Sequence, residues 1–348
     1  MSTGGSGTVT NVEHLRVARG TRSSRIFAVV ALVVVAVAAF LPSWGEASTM
    51  KKMIELLVLL AMAQMWNLLA GFAGIVSVGQ QAFVGFGAYG MIVFVNNLGL
   101  NLYVSVLLSA VAAAALSVPI GLVAFRLRGS YFAIGTWVLA TLASLVVTSI
   151  TQVGGGSGAS IKVAGTDATT RLHANYWLAL VLGVGSVLVS YGVLRSRLGL
   201  QMQAIRDNEA GARGLGADVY RTRFIIWVIA AFWTGLAGGV FYLNNLRVQP
   251  TAAFSVLQWT APIVFIVVIG GLGTIEGPII GAVLYYLFKD RFSEAQTKYF
   301  IALGVLAIVV ALWLKRGIWG SLRHRFGISL FPVGRRVLGL ADRSTGGR

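Results

Sequence analysis

Side chains that could hold a metal, attack a carbonyl or relay a proton are few and far apart. His14, His173 and His324 lie in separate polar segments, no cysteine occurs, and only 11 Asp and Glu are spread over 348 residues. Catalytic and metal sites need several such groups converging on one point. A metal centre, a His-based catalytic cluster and a disulfide framework are therefore not expected, and no catalytic residue is assigned. Nor does any stretch fit G-x-x-x-x-G-K-[ST], because the chain has no Gly-Lys pair. That spacing cradles nucleotide phosphates with backbone amides and a lysine. The chain is expected to bind no cofactor itself; if ATP drives it, ATP and Mg sit on another subunit.

What the sequence offers instead is backbone. Residues 71–90 read GFAGIVSVGQQAFVGFGAYG, where Gly71, Gly74, Gly79, Gly85, Gly87 and Gly90 interrupt an otherwise helical apolar run. Ser77, Gln80, Gln81 and Tyr89 sit within it. Residues 270–281, GGLGTIEGPIIG, form a second interruption with Gly271, Gly273, Gly277 and Pro278. A break in a membrane helix frees backbone donors and a half-helix N-terminus, which suit a polar or anionic solute. Unwound backbone is tolerated there only where protein buries it or a cavity adjoins it. The competing reading of both stretches is a tight turn between closely packed helices. Among the acids, Glu55 alone lies clearly inside an apolar run, near its end, and Glu276 lies at the second break. Ion-coupled carriers usually place acids or histidines deep in the membrane. Their scarcity argues against proton coupling, and less against sodium, which carbonyls can bind.

These residues must be positioned by membrane helices. Hydrophobic residues make up 57% and charged residues 11% of the chain, and mean hydropathy is +0.80. Average soluble domains are about 25% charged, so disorder and most soluble enzymes are excluded. A membrane helix needs about 20 mostly apolar residues. Such runs fall near 26–41, 53–70, 76–97, 102–124, 131–150, 175–194, 224–244, 256–270, 277–288 and 299–314. The expected fold is all-α, a polytopic membrane helix bundle of about ten spans with broken helices. Glycine, at 43 residues, lets such helices approach closely.

The charges orient this map. The net charge is +17, but the cations lie between apolar runs, so lipid headgroups and topology explain them and no nucleic-acid partner is expected. With both termini cytoplasmic, four arginines fall in the arm 1–25, two after span four, six at 195–223 and eight cations in the tail, 20 of 28 Lys and Arg in all. That split follows the positive-inside tendency. The first span reads either as a signal anchor or as a cleaved signal peptide. The anchor is favoured, because Gly45-Glu46-Ala47 fits a cleavage site poorly and Pro42-Ser43-Trp44 looks like an interfacial helix end. The outside loop 151–174, rich in Gly, Ser and Thr, is expected to be flexible or ordered by a partner. The arm and the last 20 or so residues are expected to be mobile. The inside loop RSRLGLQMQAIRDNEAGARGLGADVYRTR (195–223) predicts one surface helix over 200–213. Leu200, Ala204 and Ile205 would share one side and Arg206, Glu209 and Arg213 another, with Gly214 and Gly216 ending it. Such a helix could insert in a groove on a soluble partner, or simply lie solvated at the interface.

Over about residues 50–320 the chain resembles the permease subunits of bacterial ABC importers for branched-chain amino acids, in the M-type (LivM-like) branch. The resemblance rests on AGFAGIVSVGQQAFVGFGAY (70–89), RLRGSYFAIGT (126–136), 197–224 leading into AAFWTGLAGGVFY (230–242), Pro250 and Phe254 followed by IVVIGGLGTIEGPIIGA (266–282), and LKRGIWGSL (314–322). It implies half of a transmembrane pore, paired with a related H-type permease. Two cytoplasmic ATPase subunits would power it and an extracytoplasmic solute-binding protein would deliver the solute. It implies that 197–216 is the coupling segment, with Arg206, Asp207, Glu209 and Gly216 serving ATPase coupling. Gly71, Gly74, Ser77, Gly79, Gln80, Gln81 and Tyr89 would then belong to the substrate pathway. Gln80 stands where relatives often carry His, and Thr141 near where they often carry an acid. These departures leave open branched-chain or other hydrophobic amino acids, urea, amides or small organic acids. A sugar is disfavoured by RLRGSYFAI. A self-sufficient secondary carrier would need coupling groups the sequence does not display, and a membrane-embedded enzyme would need converging ones. The expected organisation is a basic arm (1–25), a permease domain (26–316) and a basic tail (317–348), in the bacterial inner membrane.

Overall fold

A computed structural model describes residues 16–18, 22–163, 165, 167–292, 304–305, 308, 317–326, 331 and 336–338. Helices α1 (Arg22–Trp44), α2 (Ala47–Asn67), α3 (Gln80–Met91), α4 (Leu102–Ala124), α5 (Ser130–Ser149) and α6 (Ala168–Arg195) come first. A short pair follows, α7 (Arg197–Asp207) and α8 (Glu209–Gly214), then α9 (Val219–Asn245), α10 (Pro250–Ala253), α11 (Ala261–Gly270), α12 (Glu276–Phe292) and α13 (Gly317–Phe326). Helix is what an apolar chain must form in lipid, since it satisfies every backbone group within the segment. Three π-helical turns extend this set: Leu68–Phe72 ends α2, Ile92–Asn97 ends α3 and Val256–Thr260 opens α11.

All nine expected crossings up to residue 288 coincide with described helices; the tenth, 299–314, falls almost wholly outside the described residues. Ala47–Phe72, Leu102–Ala124, Ser130–Ser149, Ala168–Arg195 and Val219–Asn245 are each long and apolar enough to cross a membrane. Local chemistry marks their ends. Asn101 caps α4 by accepting from the Tyr103 amide at 2.9 Å, and Asp218 caps α9 by accepting from the Arg221 amide at 2.9 Å. Such caps satisfy amides that the first helical turn leaves orphaned.

The centre of the bundle is α2, α3 and α9. Their contacts depend on residues without side chains. A Cβ on Gly87 would strike the Gly235 carbonyl, one on Gly238 would lie 2.9 Å from Val84 Cα, and one on Gly90 2.7 Å from Ser109 Cβ. Gly85, Gly87 and Gly90 thus sit inside the continuous helix α3. They do not interrupt it, contrary to expectation; small residues here bring helices together. The break is confined to 73–79, so the third crossing starts at Gln80. Glu55 is not isolated either: Lys289 donates to its carboxylate across the α2–α12 contact, beside the Lys52–Asp290 pair at 2.7 Å.

Three further expectations change. The loop 151–174 is ordered by the chain itself. Ala159–Ser160 (β2) pairs antiparallel with Arg247–Val248 (β3), Ile161 is buried, and α6 already starts at Ala168. The terminal arms meet, Arg16–Ala18 (β1) pairing antiparallel with Arg336–Leu338 (β4). Finally, the helix expected over 200–213 is two helices, because extended Asn208 caps α8 through its side chain, which accepts from the Gly211 amide at 2.9 Å. Met202 and Ile205 form the buried face of α7, while Leu200 and Ala204 face outward.

Candidate functional site

The two broken segments meet. After its π-helical turn α2 gives way to Ala73–Gly79, with Gly74 in the left-handed region at φ 69°. Helix α11 stops at Gly270, and Gly271 (φ 132°) and Gly273 (φ 74°) turn the chain into α12. One amide side chain joins them: buried Asn67 donates from Nδ2 to the Thr274 carbonyl at 2.8 Å and accepts at Oδ1 from the Gly273 amide at 2.9 Å. A turn earlier, Gln64 Nε2 donates to the Ile275 carbonyl at 2.7 Å. Unwound backbone inside a membrane bundle must find partners, and these two amides supply them. The approach is close enough that a Cβ on Gly71 would stand 2.5 Å from the Gly273 amide nitrogen.

The first break is also fixed on its other side. The Trp66 indole donates to the Ser77 carbonyl at 2.8 Å, and the Ser77 hydroxyl accepts from the Gly79 amide at 3.2 Å. The Thr136 hydroxyl of α5 accepts from the Val78 amide at 3.1 Å. From there α3 carries Gln80 and Gln81 into the interior. Gln80 Oε1 accepts from Thr234 Oγ1 at 3.3 Å, and Gln81 Oε1 accepts from Thr260 Oγ1. Gln80 Nε2 has no hydrogen-bond partner among the described residues. Tyr89 lies farther along α3, about 14 Å from Gln80 at 1.5 Å per residue. Its ring stacks on Phe254, its hydroxyl has no partner among the described residues, and it lines an apolar cavity of about 480 Å³ between α3, α4 and α5.

The loop 195–223 closes on the same place. Arg206 reaches back from α7 and donates from Nη1 to the Gly71 carbonyl at 2.7 Å. Its neighbour Asp207 is exposed. Glu209 bridges Arg213 at 2.6 Å and Arg223 at 3.0 Å, tying α8 to α9. Gly216 adopts φ 85° after α8, where its amide bonds the Arg213 carbonyl at 3.0 Å and the Ala217 amide bonds the Ala212 carbonyl at 3.0 Å. Beside it Leu215 is 90% exposed. The C-terminal helix α13 covers the second break from the other side: a Cβ on Gly317 would lie 2.6 Å from Gly271 Cα, and Glu276 accepts from the Phe331 amide at 3.0 Å.

The structure thus brings together Gly71, Gly74, Ser77, Gly79 and Arg206, carries Gln80 and Gln81 inward, sets Tyr89 apart at the cavity, and leaves Asp207 and Gly216 on the surface. Sequence reasoning passed over Gln64, Trp66, Asn67, Thr136 and Thr274. A signal existed for two of them, since Gln64 and Asn67 are amides one turn apart in the apolar run LLVLLAMAQMWNLLAG. Among the described residues no group of three His, Cys, Asp or Glu could hold a metal ion.

The helices define a multi-pass membrane protein whose broken segments are locked to a basic surface loop. The profile of the family described as "Branched-chain amino acid transport system / permease component" matches residues 48–312, and the chain belongs to that family. It is 25% identical over 325 residues to the high-affinity branched-chain amino acid transport system permease protein LivM of Salmonella typhimurium, covering 78% of this chain and 76% of that one. The LivM protein of Escherichia coli strain K12 is 24% identical with the same coverage. A probable branched-chain amino acid transport permease protein LivH of Methanocaldococcus jannaschii is 24% identical over 158 residues, covering 44% and 46%.

Proposed function

We propose that the chain is one half of the pore of an ATP-driven importer in the bacterial inner membrane, carrying small amphipathic solutes, foremost branched-chain or other hydrophobic amino acids. The observation that carries this reading is the convergence of both broken segments on the loop 195–223, through the bond from Arg206 to Gly71. A conduit driven from outside must convert displacement of a surface element into displacement of its helices.

In this reading the loop lies in the cytoplasm with both termini, and its docking face, with Asp207, Glu209 and Gly216 around exposed Leu215, meets an ATPase subunit that holds ATP and Mg. A second, related permease completes the pore, and an extracytoplasmic binding protein releases solute into it. Residues 26–316 form the permease domain, enclosing the family match. Gln80, Gln81 and Tyr89 face the solute path, and Gly71, Gly74, Ser77 and Gly79 form its cytoplasmic end. The buried amides of Gln80 and Gln81 offer polar groups to a passing amino acid, and farther along α3 the apolar cavity beside Tyr89 accepts an aliphatic chain, so the two are met at successive points of the path.

The test is uptake of labelled leucine into proteoliposomes holding the whole assembly, with ATP enclosed. Uptake that requires both the ATPase subunits and ATP is expected. Uptake by this chain and its partner permease without ATPase subunits would overturn the reading.

A further inference from the structure

Arg206 lies on the loop assigned above to ATPase coupling; its half-exposed guanidinium pairs with Asp207 through Nε at 3.4 Å and also reaches inward. Nη1 donates to the Gly71 carbonyl at 2.7 Å and lies 3.2 Å from where a Cβ on Gly273 would stand. The aliphatic stem covers Gly74, with Cγ 3.6 Å from the place of its missing Cβ. One side chain therefore touches both breaks. The breaks are in turn bound to each other by the Asn67 amide, which serves Gly273 and Thr274 together. The Gly71 carbonyl belongs to the last turn of α2, where helical carbonyls lack intrahelical partners and the helix dipole favours a cation. Arg206 supplies both the missing donor and the charge.

We propose that Arg206 and Asn67 form a coupling joint, acting as positioning residues through which displacement of α7 reaches the ends of α2 and α11 at once. The inference rests on the ATP-driven reading and assigns Arg206 a task distinct from docking. Movement transmitted by a soft contact would dissipate in side-chain rotation. Here the path is three hydrogen bonds onto backbone, one from the Arg206 guanidinium and two at the Asn67 amide, with no Cβ between the segments to act as a cushion. Because Asn67 links the two breaks, they must move as one body, so the helices flanking both respond to a single pull.

The experiment uses the complete assembly in proteoliposomes with Arg206→Ala, Arg206→Lys and Asn67→Ala. Three quantities are read: ATPase subunits retained on purification, ATP hydrolysed, and leucine imported per ATP. With Arg206→Ala and Asn67→Ala, ATPase subunits stay bound while leucine imported per ATP falls at least tenfold. Arg206→Lys, which keeps a donor and a charge, recovers part of that ratio. A purely structural role would reduce hydrolysis and import in parallel and leave the ratio unchanged, and that result overturns the joint. Loss of the ATPase subunits from Arg206→Ala makes Arg206 a docking contact and also overturns it, with the ATP-driven reading intact. Where the Arg206→Ala chain itself does not fold into the membrane, the ratio is read on Arg206→Gln instead, and an unchanged value again overturns the joint. Import by the unaltered assembly lacking ATPase subunits sinks the ATP-driven reading and the joint with it.

Discussion

Asn67 satisfies two backbone groups with one amide, and this defines what its loss should do. In Asn67→Leu the Gly273 amide and the Thr274 carbonyl lose their partners in a buried place, at about 1–3 kcal/mol for each orphaned group. The thermal unfolding midpoint in detergent should drop clearly; an unchanged midpoint would mean that water enters the junction and replaces the amide. Glycine gives a sharper contrast, because one substitution should act with opposite sign at two positions. A Cβ on Gly71 would press on the Gly273 amide at 2.5 Å, whereas one on Gly192, within α6, meets nothing within 4 Å. Gly71→Ala should therefore destabilise the fold. Gly192→Ala should stabilise it by about 0.5–1 kcal/mol, as the unfolded chain loses freedom. Thermal melts of both variants check the pair, and equal effects would show that the close approach at Gly71 does not matter. At this scale the sequence exposed the glycines but not which of them turn the chain. Gly71 and Gly87 look alike in a string of letters. One lies in the junction and the other under a crossing helix, and only the neighbour, Gly273 or Gly235, separates the two roles.

Elements were more legible, because their length and composition are local. Apolar runs long enough to cross the membrane placed α4, α5 and α9 within a few residues. A connection between α6 and α9 was legible, although 219–223 already belong to α9; its interior corner was not, because a side-chain cap at Asn208 competes with continuing one helix and wins. The arrangement of α3 against α9 rests on a backbone approach the sequence could not reveal. It predicts that Gly87→Ala, whose Cβ would strike the Gly235 carbonyl, forces the two helices apart. Overpacking of that kind typically costs about 1–3 kcal/mol. A melt as stable as the parent would show that α3 slides along α9 instead. The two ion pairs between α2 and α12 offer a graded test. Glu55–Lys289 has its side chains 31% and 36% exposed, and Lys52–Asp290 51% and 50%. Exposed pairs contribute about 0–1 kcal/mol because water screens them. Double-mutant cycles should give the larger coupling energy for Glu55–Lys289, and the reverse order would show that solvent reaches the inner pair equally.

At the scale of the whole molecule, the junction joins residues 67, 206 and 273, which stand far apart in the sequence and lie on three different elements. No local pattern encodes such a meeting; it arises because alternating helices return their ends to the same side. The breaks at 73–79 and 271–275, the α4–α5 turn and the loop 195–223 all lie at one end, while the 98–101 turn, the β2–β3 pair and residues 245–249 lie at the other. The junction end carries Arg126, Arg128, Arg195, Arg197, Arg206, Arg213, Arg221 and Arg223, and in the proposed ATP-driven reading the positive-inside tendency puts that excess in the cytoplasm. The chain has no cysteine, so a single introduced thiol reports its own side of the membrane. Leu215→Cys marks the proposed docking face at a residue 90% exposed, and Ser157→Cys marks the opposite end at an exposed turn. In intact spheroplasts a membrane-impermeant maleimide should label Ser157→Cys and spare Leu215→Cys, and in inverted vesicles the pattern should exchange. Labelling of Leu215→Cys from outside would place the junction on the wrong face for a cytoplasmic ATPase. The bond from Arg206 to Gly71 would then hold two loops together without transmitting anything, because no ATP-driven partner could reach the element it belongs to.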